Sequence, residues 1–270
     1  DAPEKERRAA LARGLTDPNN PLTARVMANR IWYHHFGTGI VSTPGDFGAN
    51  GGLPSHPELL DWLARQLMRG DWSIKNLHRE ILNSSTYRQA SGPSATGLAR
   101  DAGARLLWRF PPRRLEAEVI RDCILQLSGS LDLSMGGPGF STFKPNDNYV
   151  RVYTPKETTG PTEWRRMVYM HKVRMERAPL FGAFDLPDAG QVCPKRSLST
   201  TAIQALNLFN GIFVLQQAQR MAELLTELDG DPVEHAYRSA YGRKPSMREA
   251  SAAETFIKEH GLAAFCRAVL

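Results

Sequence analysis

Two adjacent histidines stand in NRIWYHHFG (residues 29–37), flanked by aromatic residues and closed by a glycine. Side chains of this type bind transition metals or move protons near neutral pH. The run lies in a helical pattern, where neighbouring side chains diverge by about 100°, so His34 and His35 do not converge on one metal. Helical zinc pairs stand four residues apart, as in HExxH, and no such pair occurs here. His35 falls with Ala24, Ala28 and Ile31 on an apolar face and reads as a core histidine with one hydrogen bond. His34 shares a polar stripe with Thr23 and Arg30 and is the more open of the two. Asp46 in PGDFG and His56 in SHPE would complete a polar pocket with His34. Turn-making and helix capping explain these two residues more simply.

A second set of reactive types lies in FDLPDAGQVCPKRSLSTTAIQ (residues 184–204): Asp185, Asp188, Cys193, Lys195, Arg196 and a run of hydroxyls. A cysteine nucleophile needs a neighbouring base and a lowered pKa. Lys195 and Arg196 would lower it, but no histidine is close in sequence. A loop pinned by Asp–Arg pairs accounts for the same residues and is the favoured reading, with Asn207 and Asn210, buried among Leu206, Leu208 and Phe209, satisfying loop backbone groups. The third candidate is a cationic face of Arg166, Lys172 and Arg174, near Tyr153 and Trp164, suited to an anionic polymer. No phosphate-binding loop, dinucleotide fingerprint or GxSxG elbow occurs. The three cysteines, Cys123, Cys193 and Cys266, are widely spaced. They exclude zinc-ribbon and haem-attachment spacings and allow either one disulfide, with one thiol left free, or three buried, unpaired cysteines. No metal site and no cofactor are expected within this chain.

The elements that must position these groups are marked by helix punctuation. Asn20-Pro21 precedes LTARVMANRIWYHHF and Gly37 follows it; SHPE reads as a capping box before PELLDWLARQLM, which Gly70 ends. Ser73 caps IKNLHREILNSS, and another helix runs from about Arg114 to Ser128. Thr201 with Gln204 opens the long run AIQALNLFNGIFVLQQAQRMAELLTEL, and Asp231–Glu234 and Ser246–Glu249 open two final helices. Between them YVRVYT (149–154) and RMVYMHKVRM (166–175) alternate as strands do, joined by a turn-rich loop. The expected fold is mainly α: one multi-helix globular domain, helical over 1–130, with a small antiparallel β-hairpin insertion within 131–178, and helical again over 179–270.

The chain of 270 residues, 41% hydrophobic and 23% charged, has an ordinary globular composition. No apolar run is long enough for a membrane span. A net charge of +6 raises nucleic-acid binding, but the basic excess is spread thinly over residues 1–200 and reads as a solvated mixed surface.

Together NPLTARVMANRIWYHHFGTGIVSTPGDFG, LPSHPELLDWLA, LHREILNSSTYRQAS, RFPPRRLEAEVIRD, FDLPDAGQVCPKRSLSTTAIQALNLFN and AYGRKPSMRE closely resemble the planctomycete-type domain of unknown function 1553, over essentially the whole chain. The resemblance implies the C-terminal portion of a large exported protein, hence a periplasmic or extracellular setting. It also implies partner domains of the same polypeptide, some c-type cytochrome-like or lectin-like, and a last helix continuing past Leu270. Gly14 stands where the family more often has a bulky residue. No catalytic residue transfers from the resemblance. The expected role is a non-catalytic interaction or scaffold domain. The alternative is a hydrolase acting on sulfated or other anionic polysaccharide, motivated by the Asp/Cys/Arg loop and the cationic face.

Overall fold

The computed structural model describes residues 2–145, 152–174, 176, 178 and 180–270. It divides into two compact units, Asp1–Arg113 and Arg114–Leu270.

The first unit holds α1 (Glu4–Thr16), α2 (Thr23–Phe36), α3 (Pro57–Arg69), α4 (Ile74–Asn83) and α5 (Ala95–Asp101). In α3 the residues Leu60, Leu63, Ala64 and Leu67 recur at helical spacing, and all four are buried. Leu77 and Ile81 do the same in α4. These stripes close on Ala28, Ile31, Trp32 and Phe36 of α2, with Ile40 and Val41 from the following turn. Each large apolar side chain buried this way contributes about 1.5–3 kcal/mol. Gly37 ends α2 in the left-handed region, at φ 76°, and its N–H reaches back to the Tyr33 carbonyl. Ser73 caps α4 by accepting from the Asn76 N–H. Two expected caps differ. Asn20 accepts from the Leu22 N–H before the helix starts, so it makes a turn rather than capping α2. Ser55 bonds the Ile40 carbonyl and His56, leaving α3 with Pro57 in its first turn and no side-chain cap. Helix α1 buries none of its residues.

The second unit holds α6 (Ala117–Leu127), α7 (Ala202–Asn210), α8 (Ile212–Glu227), α9 (Pro232–Tyr241), α10 (Met247–His260) and α11 (Leu262–Val269). Helix α8 is its centre: Val214, Gln217, Ala218, Met221, Ala222 and Leu225 form one buried stripe. Ala218 to Leu225 pack with Val233, Ala236, Ala253, Phe265 and Cys266 of α9 to α11. A smaller cluster joins Ala117, Met167, Phe181 and Phe184. The capping boxes Thr201–Gln204 and Ser246–Glu249 are present, and Asp231 caps α9.

The long apolar run after Thr201 is broken into α7 and α8 at Gly211. A Cβ there would stand 2.6 Å from both the Asn207 carbonyl and the Leu180 side chain, so only glycine fits the corner. The expected β-hairpin is corrected: no sheet exists among the described residues. Met167–Tyr169 is a 3-10 turn, as is Pro161–Glu163. Pairing is limited to isolated bridges of Asp132 with Arg165, Phe140 with Met170 and Phe143 with Pro155. The alternation of 166–173 is satisfied by turns instead, because Asp122 takes the Met167 N–H at 2.8 Å and buries Met167 beside α6. Residues 149–151 of YVRVYT, and Met175, lie outside the described residues.

Candidate functional site

In the first unit His34 is exposed, and its carbonyl accepts from Arg113 at 2.7 Å. His35 is half-buried rather than fully in the core, and its Nε2 lies 2.7 Å from Nδ1 of His78 on α4, 43 residues on. One proton is shared between two imidazoles, and the Tyr87 ring packs edge-on against His35. Burial, then the fields of His78, Arg113 and His34, push the His35 imidazole below its ordinary pKa. A histidine held neutral contributes stability above its unfolded pKa of about 6.5, and that contribution is lost as pH falls through the lowered folded value. The first unit is therefore expected to lose stability from pH 7.5 to 5, followed by hydrogen-exchange protection of the α2 and α4 amides corrected for intrinsic rates, with the slope flattened in His78→Phe. An unchanged slope in that variant would show that the pair is not the sensor.

Asp46 is exposed and makes a turn, Oδ1 accepting from the Gly48 N–H at 2.8 Å. His56 is half-buried against Ser55 at 3.0 Å and lines a small cavity of about 50 Å³ with Trp32 and Phe36. Among the described residues no hydrogen bond or ion pair links His34, Asp46 and His56. Among the described residues the buried polar residue of this unit is Asn29, fully inaccessible; its side-chain amide exchanges two hydrogen bonds with the Val41 backbone, at 3.0 and 2.9 Å. It lies within the histidine-containing run but drew no attention there, because an asparagine carries no sequence signal of burial.

In the second unit the 184–204 loop is pinned as the ion-pair reading requires. Asp185 sits at φ 57° and accepts from the Ser199 N–H at 2.8 Å, the Ser199 hydroxyl at 2.9 Å and Arg114 at 2.6 Å. The Ser199 bonds and Arg114 hold its carboxyl below the usual range despite partial burial, so it is an ionised anchor. Asp188 is exposed and accepts from the Gly190 N–H in a turn of its own. Cys193 is exposed, its thiol donating to the Lys195 carbonyl at 3.3 Å. Arg196 bridges Glu118 at 2.6 Å and Glu116 at 3.2 Å. Gln204, 4% exposed, closes the loop by donating to Ala183 and Ser199. Asn207 donates to the Leu180 carbonyl, as expected of a loop-satisfying amide, but is only half-buried, and Asn210 is exposed. All three cysteines are free, but the buried reading holds only for Cys266; Cys123 and Cys193 are exposed.

The cationic face is dispersed. Arg166 lies 3.8 Å from Asp122, Lys172 donates to the Glu176 carbonyl, and Arg174 is exposed. Among the described residues no group of three or more histidines, cysteines or carboxylates is placed to hold a metal ion, and no helix is long and apolar enough to cross a membrane.

The most heavily invested polar centre of this unit is one that the motif reading passed over. Arg121 of α6 is 2% exposed, with its guanidinium between the Phe140 and Phe213 rings at 4.9 and 5.6 Å. It donates to the Arg165 carbonyl at 2.8 Å and to the Glu163 carbonyl. Burial lowers its pKa to about 10, against the pull of Asp122 and Glu163, and it stays cationic. Glu163 is also buried, which opposes ionisation, yet hydrogen bonds from Lys156, Gly160 and Thr162 keep it below the usual carboxylate range. The signal for Arg121 was present: it falls four residues after Ala117 and three before Ile124, on the inward stripe of α6. Beside it opens a cavity of about 450 Å³, walled by Arg121, Lys156, Leu180, Phe181, Phe213 and Gln216.

No curated protein matches this sequence, and no solved structure does. Residues 7–257 match the family described as PSD1, a protein of unknown function (DUF1553). That match covers nearly the whole of both units, and with the motifs that span them it assigns the chain: it belongs to the PSD1 family, DUF1553.

Proposed function

We propose that this chain is a non-catalytic interaction module of a larger exported multidomain protein, docking other domains of the same polypeptide, c-type cytochrome-like ones among them. The supporting observation is the state of the reactive side chains in the 184–204 loop. A general acid or base must have a free lone pair or proton facing a cleft, whereas Asp185 is engaged by Ser199 and Arg114. Arg196 is held between two glutamates, and among the described residues the Cys193 thiol is hydrogen-bonded to the Lys195 carbonyl and not to a base. These contacts tie the ends of the loop to α6 and leave its reactive groups committed to structure.

The purified chain is expected to release no product from sulfated polysaccharide, and to co-elute with the neighbouring domains of its polypeptide when these are supplied separately. Turnover that disappears in Asp185→Asn or His34→Ala, with the circular dichroism retained, would replace this reading by the hydrolase.

A further inference from the structure

Helix α7 reads AIQALNLFN, apolar nearly all round, and a helix of that composition is ordinarily covered on most of its surface. Of its residues only Gln204 is buried. Ile203, Leu206 and Phe209, three residues apart, are 63%, 58% and 49% exposed, and Leu206 points about 160° away from Gln204. Leu198 ahead of α7, and Ile212 and Leu215 beyond the Gly211 corner, are exposed as well. Together the six side chains amount to about three fully exposed ones, or about 600 Å² at roughly 200 Å² each. That matches the largest apolar patch a monomer typically shows, and patches of this size mark contact sites. The face is also fixed in place. The Thr201–Gln204 capping box holds its start, Gln204 is tied to Ala183 and Ser199, and Gly211 sets its end. A face ordered in advance loses little entropy on association.

The chemistry of the face selects its partner. From Ser197 to Gln219 the chain carries no charged residue, and the polar side chains there are hydroxyls and amides, each both donor and acceptor. Such a surface offers a charged partner no counter-charge, but it is complementary to itself. The exposed Asn210 stands within about 40° of Leu206 and can both give and take a hydrogen bond with its own copy. Arg267 lies over the Phe209 ring at 4.2 Å and bounds the face on the side of Leu206 away from Asn210. We propose that α7 is the contact of a twofold dimer, with a second copy of this chain laid antiparallel on the Ile203–Leu206–Asn210 face and Leu206 at the axis. Antiparallel α7 helices oppose their macrodipoles, which favours the pairing. Two copies bury about 1,200 Å² of apolar surface inside a polar rim, within the range of stable, specific interfaces. This inference does not depend on the docking role proposed above.

The test is sedimentation velocity of the whole chain at about 1–100 μM. The native chain is expected to run as a dimer at the upper end and to dissociate on dilution. Leu206→Glu and Leu206→Lys each place like charges across the axis. Each should weaken the dimer by about 30-fold or more, the effect of losing a central contact residue. An equimolar mixture of the two variants should regain it, because opposite charges then meet at the axis. Leu11→Glu, on the exposed α1, should change nothing. A native chain that stays monomeric throughout would leave α7 to another domain or to solvent and overturn the proposal. A dimer indifferent to both Leu206 substitutions, or a mixture no more associated than its components, would overturn it as well. Should either variant fail to fold by circular dichroism, hydrogen exchange of the native chain decides the matter: α7 amides must gain protection with concentration, and no gain there rejects the α7 contact.

Discussion

Arg121→Met is expected to destabilise Arg114–Leu270 by about 3–5 kcal/mol, the usual cost of removing one member of a buried charged hydrogen-bond network. Methionine fills a similar volume and keeps the apolar contact with Phe140 and Phe213, so the loss isolates the polar part. The Glu163 and Arg165 carbonyls, which the guanidinium now satisfies, are left without a donor. Asp122 and Glu163 lose one of their counter-charges, and each keeps a second, Arg166 at 3.8 Å and Lys156 at 2.8 Å. Arg121→Lys should recover less than half, since an ammonium is a point donor and cannot span two carbonyls as a planar fork does. Native-state hydrogen exchange is the suitable measurement, because two compact units need not unfold together and a single midpoint would mix them. Amides of α6 and α8 should lose protection while those of α2 to α4 keep theirs. Unchanged protection in α6 would mean that the network is dispensable.

In the first unit the largest effect is expected at Asn29. Asn29→Leu leaves the Val41 N–H and C=O both unpaired in the core, about 2–6 kcal/mol at 1–3 for each group. Asn29→Asp separates the two bonds. Its carboxylate still accepts from the Val41 N–H but faces the Val41 carbonyl with a second oxygen. Protonation turns that oxygen into a donor, so the folded pKa is raised above the unfolded value near 3.9. The stability of this variant should be greatest at acid pH and fall as pH rises through the raised value. A flat pH profile would show that the turn has rearranged. Gly39 supports the same arrangement: a Cβ there would stand 2.5 Å from the Val41 carbonyl and 2.7 Å from the Asn29 amide.

Helix existence was the most legible part of the fold, and helix ends came next. Ser73, Thr201 with Gln204, Asp231, Ser246 with Glu249 and Gly37 all act where their spacing places them. The failures also have local causes. SHPE has the composition of a capping box, but Ser55 found a better partner in the Ile40 carbonyl fifteen residues back. The alternation in RMVYMHKVRM fits a strand equally well as a chain of tight turns that buries Met167 and Val173, and periodicity alone does not separate the two.

The candidate site was legible only as a set of residue types. Asp185, Arg196 and Cys193 were visible in the sequence, and the ion-pair reading of their loop is the arrangement present. Their partners were not visible: Arg114 stands 71 residues from Asp185 and Glu118 stands 78 from Arg196. His35 was read as a histidine with one hydrogen bond, but nothing pointed to His78, 43 residues on.

The division follows from range. Caps, left-handed glycines and apolar stripes are contacts between residues three or four apart, so the sequence determines them by itself. Pairings over tens of residues depend on how loops close and on which elements pack. Tertiary structure alone therefore decided that Arg121 would be a buried fork between two carbonyls, that Gly211 would be the corner dividing α7 from α8, and that a cavity would open beside them.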